Sequence, residues 1–296
     1  MREVRLKAYA KVNLALDVVG RRPDGYHELR TVMQSVSLAD EVTLGRADRG
    51  FGLHVDPPHA EVGPGGENTA YRAWRLLCDR LGEELPVKIS LRKEVPAGAG
   101  LGGGSTDAAA VLRGLDALFG LGLSVEEMRD IASGVGADVP FCVRGGTALG
   151  EGVGEVLSPA PSPPDHRLIV AKPRRGANTA EVYRAFDAGS ATGGAAERVL
   201  RALRSGDLAE LAGALGNDLA PFTKRVVPEV AELERDLLEA GALGASMTGS
   251  GTAVFGLFRD EDAVAKARER VEAHFVGACA PVACGSEEVL AGGVPA

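Results

Sequence analysis

Along residues 2–19 apolar and polar side chains alternate in two stretches, the period of half-buried strands. Residues 29–38, 41–44 and 52–55 repeat that pattern and predict further strands. The period then lengthens. Ala70, Trp74, Leu77 and Leu81 share one face of a helix predicted over 68–81. A strand is predicted at 87–91, helices at 106–119 and 125–134, and short strands at 141–143 and 147–149. Four prolines then fall within the seven residues from Ser158 to Pro164, where neither a helix nor a central strand can continue. The domain boundary is expected there, dividing the chain into 1–157 and 165–296. Beyond it the pattern predicts a strand at 168–171 and helices near 178–187, 195–204, 207–215 and 228–240. A strand at 252–258, a helix at 261–275 and a last strand at 279–284 follow, with a loose tail after Ser286. Helices mixed with antiparallel-looking strands in both parts give an α+β class.

Composition narrows the function classes. The chain has 296 residues, is 45% hydrophobic and 25% charged, and carries a formal net charge of −8. That balance fits a soluble globular protein and argues against non-specific binding to nucleic acid. The sequence holds no 18-residue apolar run that would span a membrane, and the first residues lack the apolar core of a signal peptide. Cys78, Cys142, Cys279 and Cys284 are scattered and have no histidine neighbours, so buried free thiols and a cytoplasmic location are expected. His54 and His59 flank Pro57-Pro58 and read as surface histidines, not as a metal site.

The strongest chemical signal is the run P-A-G-A-G-L-G-G-G-S-T-D-A-A-A-V from Pro96 to Val111. Glycine lets a ligand approach the backbone closely, and Ser105, Thr106 and Asp107 are good N-cap types before a helix-forming segment. A flexible loop of amides ending at a helix N-terminus is an anion site, and a polyphosphate is its natural ligand. Three phosphate motifs compete for this run. A P-loop would need a lysine where Gly104 stands. A dinucleotide fingerprint fits formally at Gly98, Gly100 and Gly103, but Asp116 falls inside the next helix and not at the end of a strand. The loop pattern P-x-x-x-G-L-G-[GS]-[GS]-[ST] fits at every position.

Four shorter segments carry further candidates. Lys11 and Asn13 stand at i, i+2 in an apolar strand, so they share a face, and the lysine needs an anion or solvent. Tyr26 and His27 follow the turn at Asp24-Gly25 and offer a stacking surface beside a donor or acceptor. Asp138 lies among small and apolar residues just before Val139-Pro140, which is expected to hold the chain extended. Thr248-Gly-Ser-Gly is a second glycine turn that can cover phosphates or reverse the chain. Read alone, the first two segments are better explained as an edge-strand lysine and an ordinary turn with a half-buried tyrosine.

Taken in order, the glycine loop, Gly136-Ala-Asp-Val-Pro-Phe and Thr248-Gly-Ser-Gly resemble the three motifs of the GHMP kinase superfamily. Ala10-Lys-Val-Asn-Leu and Arg22-Pro-Asp-Gly-Tyr-His, with the triple glycine, resemble its branch acting on a cytidine-diphosphate-linked polyol of isoprenoid synthesis. The resemblance runs from about residue 4 to about residue 258. It implies an ATP-holding α+β domain followed by a ferredoxin-like domain, with ATP and Mg²⁺ as cofactors. It implies that Pro96, Ala97, Gly98, Ala99, Gly100, Leu101, Gly102, Gly103, Gly104, Ser105 and Thr106 hold the phosphates. Lys93 would add charge there, and Asn68 would reach the nucleotide. Asp138 would be the catalytic base and Lys11 its charged partner. Asn13, Tyr26 and His27 would line the cytidine side, with Thr179, Tyr183, Gly249 and Gly251 completing the substrate site. Ser105 is a candidate Mg²⁺ ligand, and the sequence marks no acidic one. Phosphoryl transfer rewards positioning and charge neutralisation, which these residue types supply. Three other readings stay open: a GHMP kinase for homoserine or mevalonate, a dinucleotide-dependent oxidoreductase, and a nucleotide-binding protein without turnover.

Overall fold

The computed structural model describes residues 3–56, 67–186 and 193–289. Its first half runs β1 (Glu3–Arg21), β2 (His27–Arg46), β3 (Phe51–Asp56), α1 (Thr69–Leu81), β4 (Val87–Arg92), α2 (Gly103–Phe119), α3 (Val125–Ser133), α4 (Val139–Arg144), β5 (Thr147–Gly152) and β6 (Val156–Pro159). The second half continues with β7 (Arg167–Lys172), α5 (Thr179–Phe186), α6 (Ala195–Ser205), α7 (Leu208–Ala214), β8 (Gly216–Asn217), α8 (Ala220–Val226), α9 (Glu229–Glu239), β9 (Gly244–Met247), β10 (Val254–Phe258), α10 (Glu261–Arg268), β11 (Phe275–Cys279) and β12 (Ser286–Glu288).

Two sheets organise these elements among the described residues. The first follows β12-β1-β2-β4-β3, with β5 and β6 extending from β2 and β8 lying parallel to β1. The second follows β11-β7-β10-β9 and is antiparallel throughout. Its order with intervening helices is the ferredoxin-like arrangement that the resemblance implies. One apolar core packs α1, α2 and α4 on the first sheet. Another joins the halves, setting Val12 and Leu14 of β1 with Val170 of β7, Phe255 of β10 and Val199 of α6. A third lies under α8 and α9.

β1 shows why this junction matters. Its first residues alternate exposed and buried, as a one-faced strand should, but residues 8–18 are buried without a break. Val12 and Leu14 turn to the second half of the chain, while Lys11 and Asn13 on the other face are covered by Gly102, Asp138, Thr31 and Thr248. Alternation therefore predicts the strand but not that both of its faces are covered. The two expected strands within 2–19 are one, and those at 29–38 and 41–44 form a single 20-residue partner, β2.

Other departures have local causes. The predicted strand at 141–143 is part of α4, because Pro140 occupies the first helical turn, where its fixed φ fits and its missing N–H costs nothing. The predicted helix at 261–275 ends at Arg268, and Phe275 already begins β11. β9 and α8 carry too short a pattern to predict. The tail after Ser286 is not loose at its start, since Leu6, Lys7 and Ala8 pair with Glu288, Glu287 and Ser286. β12 and β8 thus return the later chain to the first sheet, and β6 carries that sheet to Pro159. Cys78, Cys142 and Cys279 are buried and Cys284 half-buried, all four as free thiols. His54 is exposed, while His59 lies outside the described residues. Among the described residues no helix is long and apolar enough to cross a membrane.

Candidate active site

The glycine loop enters from β4 and leaves as α2. The helix starts at Gly103, with Gly102 at its N-cap in the left-handed region (φ 74°), and no side chain caps it. Ser105, Thr106 and Asp107, expected as caps, lie inside the first turns instead; Thr106 Oγ1 donates back to the carbonyl of Gly103 over 2.9 Å. The helix therefore begins without a side-chain acceptor for its leading N–H groups, the arrangement that suits an external anion. At Gly100 (φ 76°) a Cβ would stand 2.1 Å from the carbonyl oxygen of Thr248, and at Gly249 one would stand 3.0 Å from Cα of Gly100. The two glycine turns are pressed backbone to backbone, so side chains are excluded at the seam.

Both turns dock on the free edge of β1 between its pairings with β12 and β8. The Lys11 N–H donates to the carbonyl of Leu101 (2.9 Å), and the Asn13 N–H donates to Thr248 Oγ1 (3.0 Å). The β1–β2 register shifts between Tyr9 and Lys11 and again between Asn13 and Ala15. Such irregularities re-aim side chains. Here they bracket the two polar residues of an otherwise apolar stretch.

Lys11 is 3% exposed, and its ammonium donates to Asn13 Oδ1 (2.7 Å) and lies 3.3 Å from Asp138 Oδ2. Asn13 in turn donates from Nδ2 to Thr31 Oγ1 (2.8 Å), which donates to the carbonyl of Ala15 (2.7 Å). This chain fixes which end of the amide faces the lysine. The Asp138 side chain stays 37% exposed and opens onto the cleft. A buried ammonium beside a solvent-reaching carboxylate stabilises negative charge without sealing it from a substrate.

The cleft measures about 790 Å³. Lys11, Asn13 and Asp138 lie on its wall with Gly98, Gly100, Gly102 and Ser105. Tyr26, His27, Thr179, Tyr183, Gly249 and Gly251 line the same space. Tyr26 is 66% exposed. The His27 ring lies 4.9 Å from that of Tyr183 and 5.8 Å from that of Phe186, so α5 backs the turn carrying Tyr26. Burial, and then the charge of Asp138, push the Tyr183 hydroxyl up to about 12, which keeps it a neutral phenol. Thr179 Oγ1 is 2.8 Å from Ser250 Oγ, tying α5 to the second glycine turn.

A smaller cavity of about 270 Å³ is formed by residues 95–105 with Thr69 and Lys93. Three expected residues also make bonds within the fold itself. The Lys93 ammonium is held by the carboxylates of Asp40 and Asp107, so its charge is already matched within the fold. Asn68 caps α1, accepting from the Ala70 N–H over 2.9 Å, and its neighbour Thr69 is the one that touches the loop, donating to the carbonyl of Gly104 (2.6 Å). Thr106 is fully buried and lines neither cavity. Thr248, beside the glycines of its motif, is a site residue that the sequence does not single out; its hydroxyl accepts from the Asn13 N–H (3.0 Å). Asn217 holds the second turn by donating to the carbonyls of Met247 (2.9 Å) and Gly249 (2.8 Å), and its sequence neighbourhood gives no sign of this.

The model of the GHMP kinases N terminal domain matches residues 68–146, and that of the GHMP kinases C terminal matches 199–277. The chain is 47% identical over 254 residues to a 4-diphosphocytidyl-2-C-methyl-D-erythritol kinase from Pelotomaculum thermopropionicum, covering 86% of this chain and 88% of that one. It is 46% identical over 272 residues to the kinase of the same name from Moorella thermoacetica, covering 90% and 94%. A crystal structure of 4-(cytidine 5'-diphospho)-2C-methyl-D-erythritol kinase superposes with a TM-score of 0.76 at 37% identity, covering 94% of this chain and 98% of that one. The chain belongs to the GHMP kinases, in the branch of the 4-diphosphocytidyl-2-C-methyl-D-erythritol kinases.

Proposed function

We propose that this chain transfers the γ-phosphoryl group of ATP to the 2-hydroxyl of 4-diphosphocytidyl-2-C-methyl-D-erythritol, a step of the non-mevalonate route to isoprenoids. One observation carries the residue assignment: a single cleft is lined by the glycine loop at Gly98, Gly100, Gly102 and Ser105, by Lys11 and Asp138, and by Tyr26, His27 and Tyr183. These three groups match a triphosphate, a reacting hydroxyl and a base.

The proposed roles follow from the chemistry of each group. Residues 96–105 cradle the phosphates through backbone amides. Tyr26 and Tyr183 take the cytosine between their faces, and His27, backed by Phe186, offers it a ring nitrogen. Asn13 orients the polyol, its amide direction being fixed by Lys11 and Thr31. Asp138 orients the acceptor hydroxyl. A carboxylate is too weak a base to remove an alcohol proton in advance, so Asp138 accepts it late, as the new P–O bond forms and ADP departs. Lys11 steadies the negative charge on Asp138 and on the attacking oxygen.

ATP use follows from the kinase family. Among the described residues no group of three or more His, Cys, Asp or Glu side chains is placed to hold a metal. This sparse donor set suits Mg²⁺, which keeps several waters and is held mainly by substrate phosphates. Ser105, on the wall of both cavities, would be its side-chain ligand. The ion would supply neutralisation of the phosphate charge. The four free thiols further support a cytoplasmic setting.

ADP release with Mg-ATP tests the reading against four acceptors: the cytidylyl compound, free methylerythritol phosphate, homoserine and mevalonate. Turnover with the cytidylyl compound alone is expected. Equal turnover with an acceptor lacking the base would refute the roles of Tyr26, His27 and Tyr183.

A further inference from the structure

A second charged cluster lies behind the ATP loop, outside the chemistry above. Asp40 of β2, Lys93 at the end of β4 and Asp107 of α2 are each at most 4% exposed. The Lys93 ammonium pairs with Asp40 Oδ2 and lies 2.5 Å from Asp107 Oδ2. The other oxygen of Asp40 accepts two backbone bonds, from the N–H of Glu94 (2.6 Å) and of Val95 (2.8 Å). Asp40 thereby grips the strand of chain that enters the loop, while Asp107 sits on the helix that leaves it. Antiparallel pairing of β2 with β4 sets Glu41 opposite Arg92, which brings Asp40 beside Lys93 one step further on.

The cluster touches the loop directly. A Cβ at Gly103 would stand 3.2 Å from Cγ1 of Val95 and 3.7 Å from Asp40 Oδ2, so no side chain separates them. An apolar filling of this space would avoid the cost of dehydrating three charges. What ionic groups add is direction, because each bond fixes a particular N–H or ammonium in place. Residues 96–102 span the gap between the two points so fixed.

We propose that Asp40 and Asp107 are positioning residues of the ATP loop, setting through Lys93 the separation of its two ends and so its affinity for the triphosphate. The inference rests on the ATP-loop role proposed above but not on the identity of the acceptor.

The test is equilibrium titration of ATP, without acceptor, into wild type and the variants Asp40→Ala, Asp40→Asn and Asp107→Asn. Thermal midpoints and the KM of the acceptor at saturating ATP accompany it. Loss of a buried charged hydrogen-bond acceptor predicts an ATP Kd raised about tenfold in Asp40→Ala. Asp40→Asn keeps an oxygen for the two N–H groups and is expected to recover part of that loss. The acceptor KM should stay within about twofold of wild type, since among the described residues β1 meets the cluster only through the backbone pairing of Ala8 with Asp40, and neither Lys11, Asn13 nor α5 bonds to its side chains. If Asp40→Ala does not fold, Asp40→Asn and Asp107→Asn carry the test. Folded variants that bind ATP like wild type, or that weaken ATP and acceptor in parallel, overturn the proposal. Wild-type ATP binding without turnover of the cytidylyl compound would instead refute the function proposed above and leave the titration valid.

Discussion

The protein holds two lysine–aspartate clusters built from the same residue types and put to different uses. Lys11 meets a carboxylate that is 37% exposed and opens on the cleft, whereas Lys93 meets two carboxylates that are both at most 4% exposed. The first has one acid per ammonium and a neutral amide, Asn13, as its third member. The second has two acids per ammonium, and none of its members is more than 4% exposed. Access, not composition, separates a group that can exchange a proton with a substrate from one that fixes the backbone. A lysine beside an aspartate is therefore no sign of catalysis until the exposure of the acid is known.

The sharpest way to break the comparison is to disable the open cluster. Asp138→Asn and Lys11→Met are each expected to lower kcat by about 10²–10⁴-fold, the usual weight of a positioned acid–base or charge-stabilising group. ATP binding should persist in both, and steady-state ADP release with an ATP titration reads the two effects apart. Retained turnover in Asp138→Asn would remove that residue from the proton path.

Stability should show the reverse ranking. Lys93→Met leaves two carboxylates buried without their cation, and breaking a buried pair in this way costs about 3–5 kcal/mol. Lys11→Met leaves one carboxylate that can hydrate and an amide oxygen that keeps the Thr248 hydroxyl as donor (3.2 Å), so the loss is about 1 kcal/mol. Urea denaturation of the two variants side by side measures the difference. Equal losses would erase the distinction between sealed and open clusters.

Outside both clusters, Tyr183→Ala should raise the acceptor KM with little change in the KM of ATP. Base–aromatic stacking is worth about 1–3 kcal/mol, or about 5–150-fold in affinity.

The smallest expected effect is a pH slope. Burial and the adjacent charge of Asp40 hold the Asp107 carboxyl above its ordinary range, against the opposing pull of Lys93. The Cys142 thiol of α4 also feels the Asp107 charge and is itself pushed up, chiefly by burial. A carboxyl raised in the folded state binds its proton more tightly there than in the unfolded chain. Its stabilising contribution is complete below the unfolded value, near 3.8, and is lost as pH climbs through the raised one. The melting temperature of wild type relative to Asp107→Asn should therefore fall between about pH 4 and pH 8. A flat difference would show that Asp107 does not hold its proton differently on folding.

What the sequence disclosed depended on how local the signal was. The ATP loop is legible because its glycines and the following helix are contiguous, and the strand–helix alternation follows from periodicity. Lys11 and Asp138 drew notice as polar residues in apolar runs, but only the resemblance to GHMP kinases joined them across the chain. Asp40 gave no signal, since it sits on an ordinary alternating strand and meets Lys93 only through the register of β2 and β4. The resemblance makes ligands of Thr106 and Asn68, but side-chain type does not reveal direction: one turns back on its own helix and the other caps a different one. α4 was hidden by length, as six apolar residues have no period that tells a helix from a strand.

The pairing of β12 with β1 has a consequence for synthesis on the ribosome. Leu6 finds its partner at Glu288, so the edge formed by Leu6, Lys7 and Ala8 remains bare until residues 286–288 have been translated. The next stretch of that edge waits for Thr248, which is also made late. A nascent chain stalled ahead of these residues carries the ATP loop and Asp138 but presents an open strand of the kind that recruits other chains. Truncated products of this gene should be insoluble as well as inactive, which makes ribosome stalling more hazardous for this enzyme than for one whose first strand is covered early.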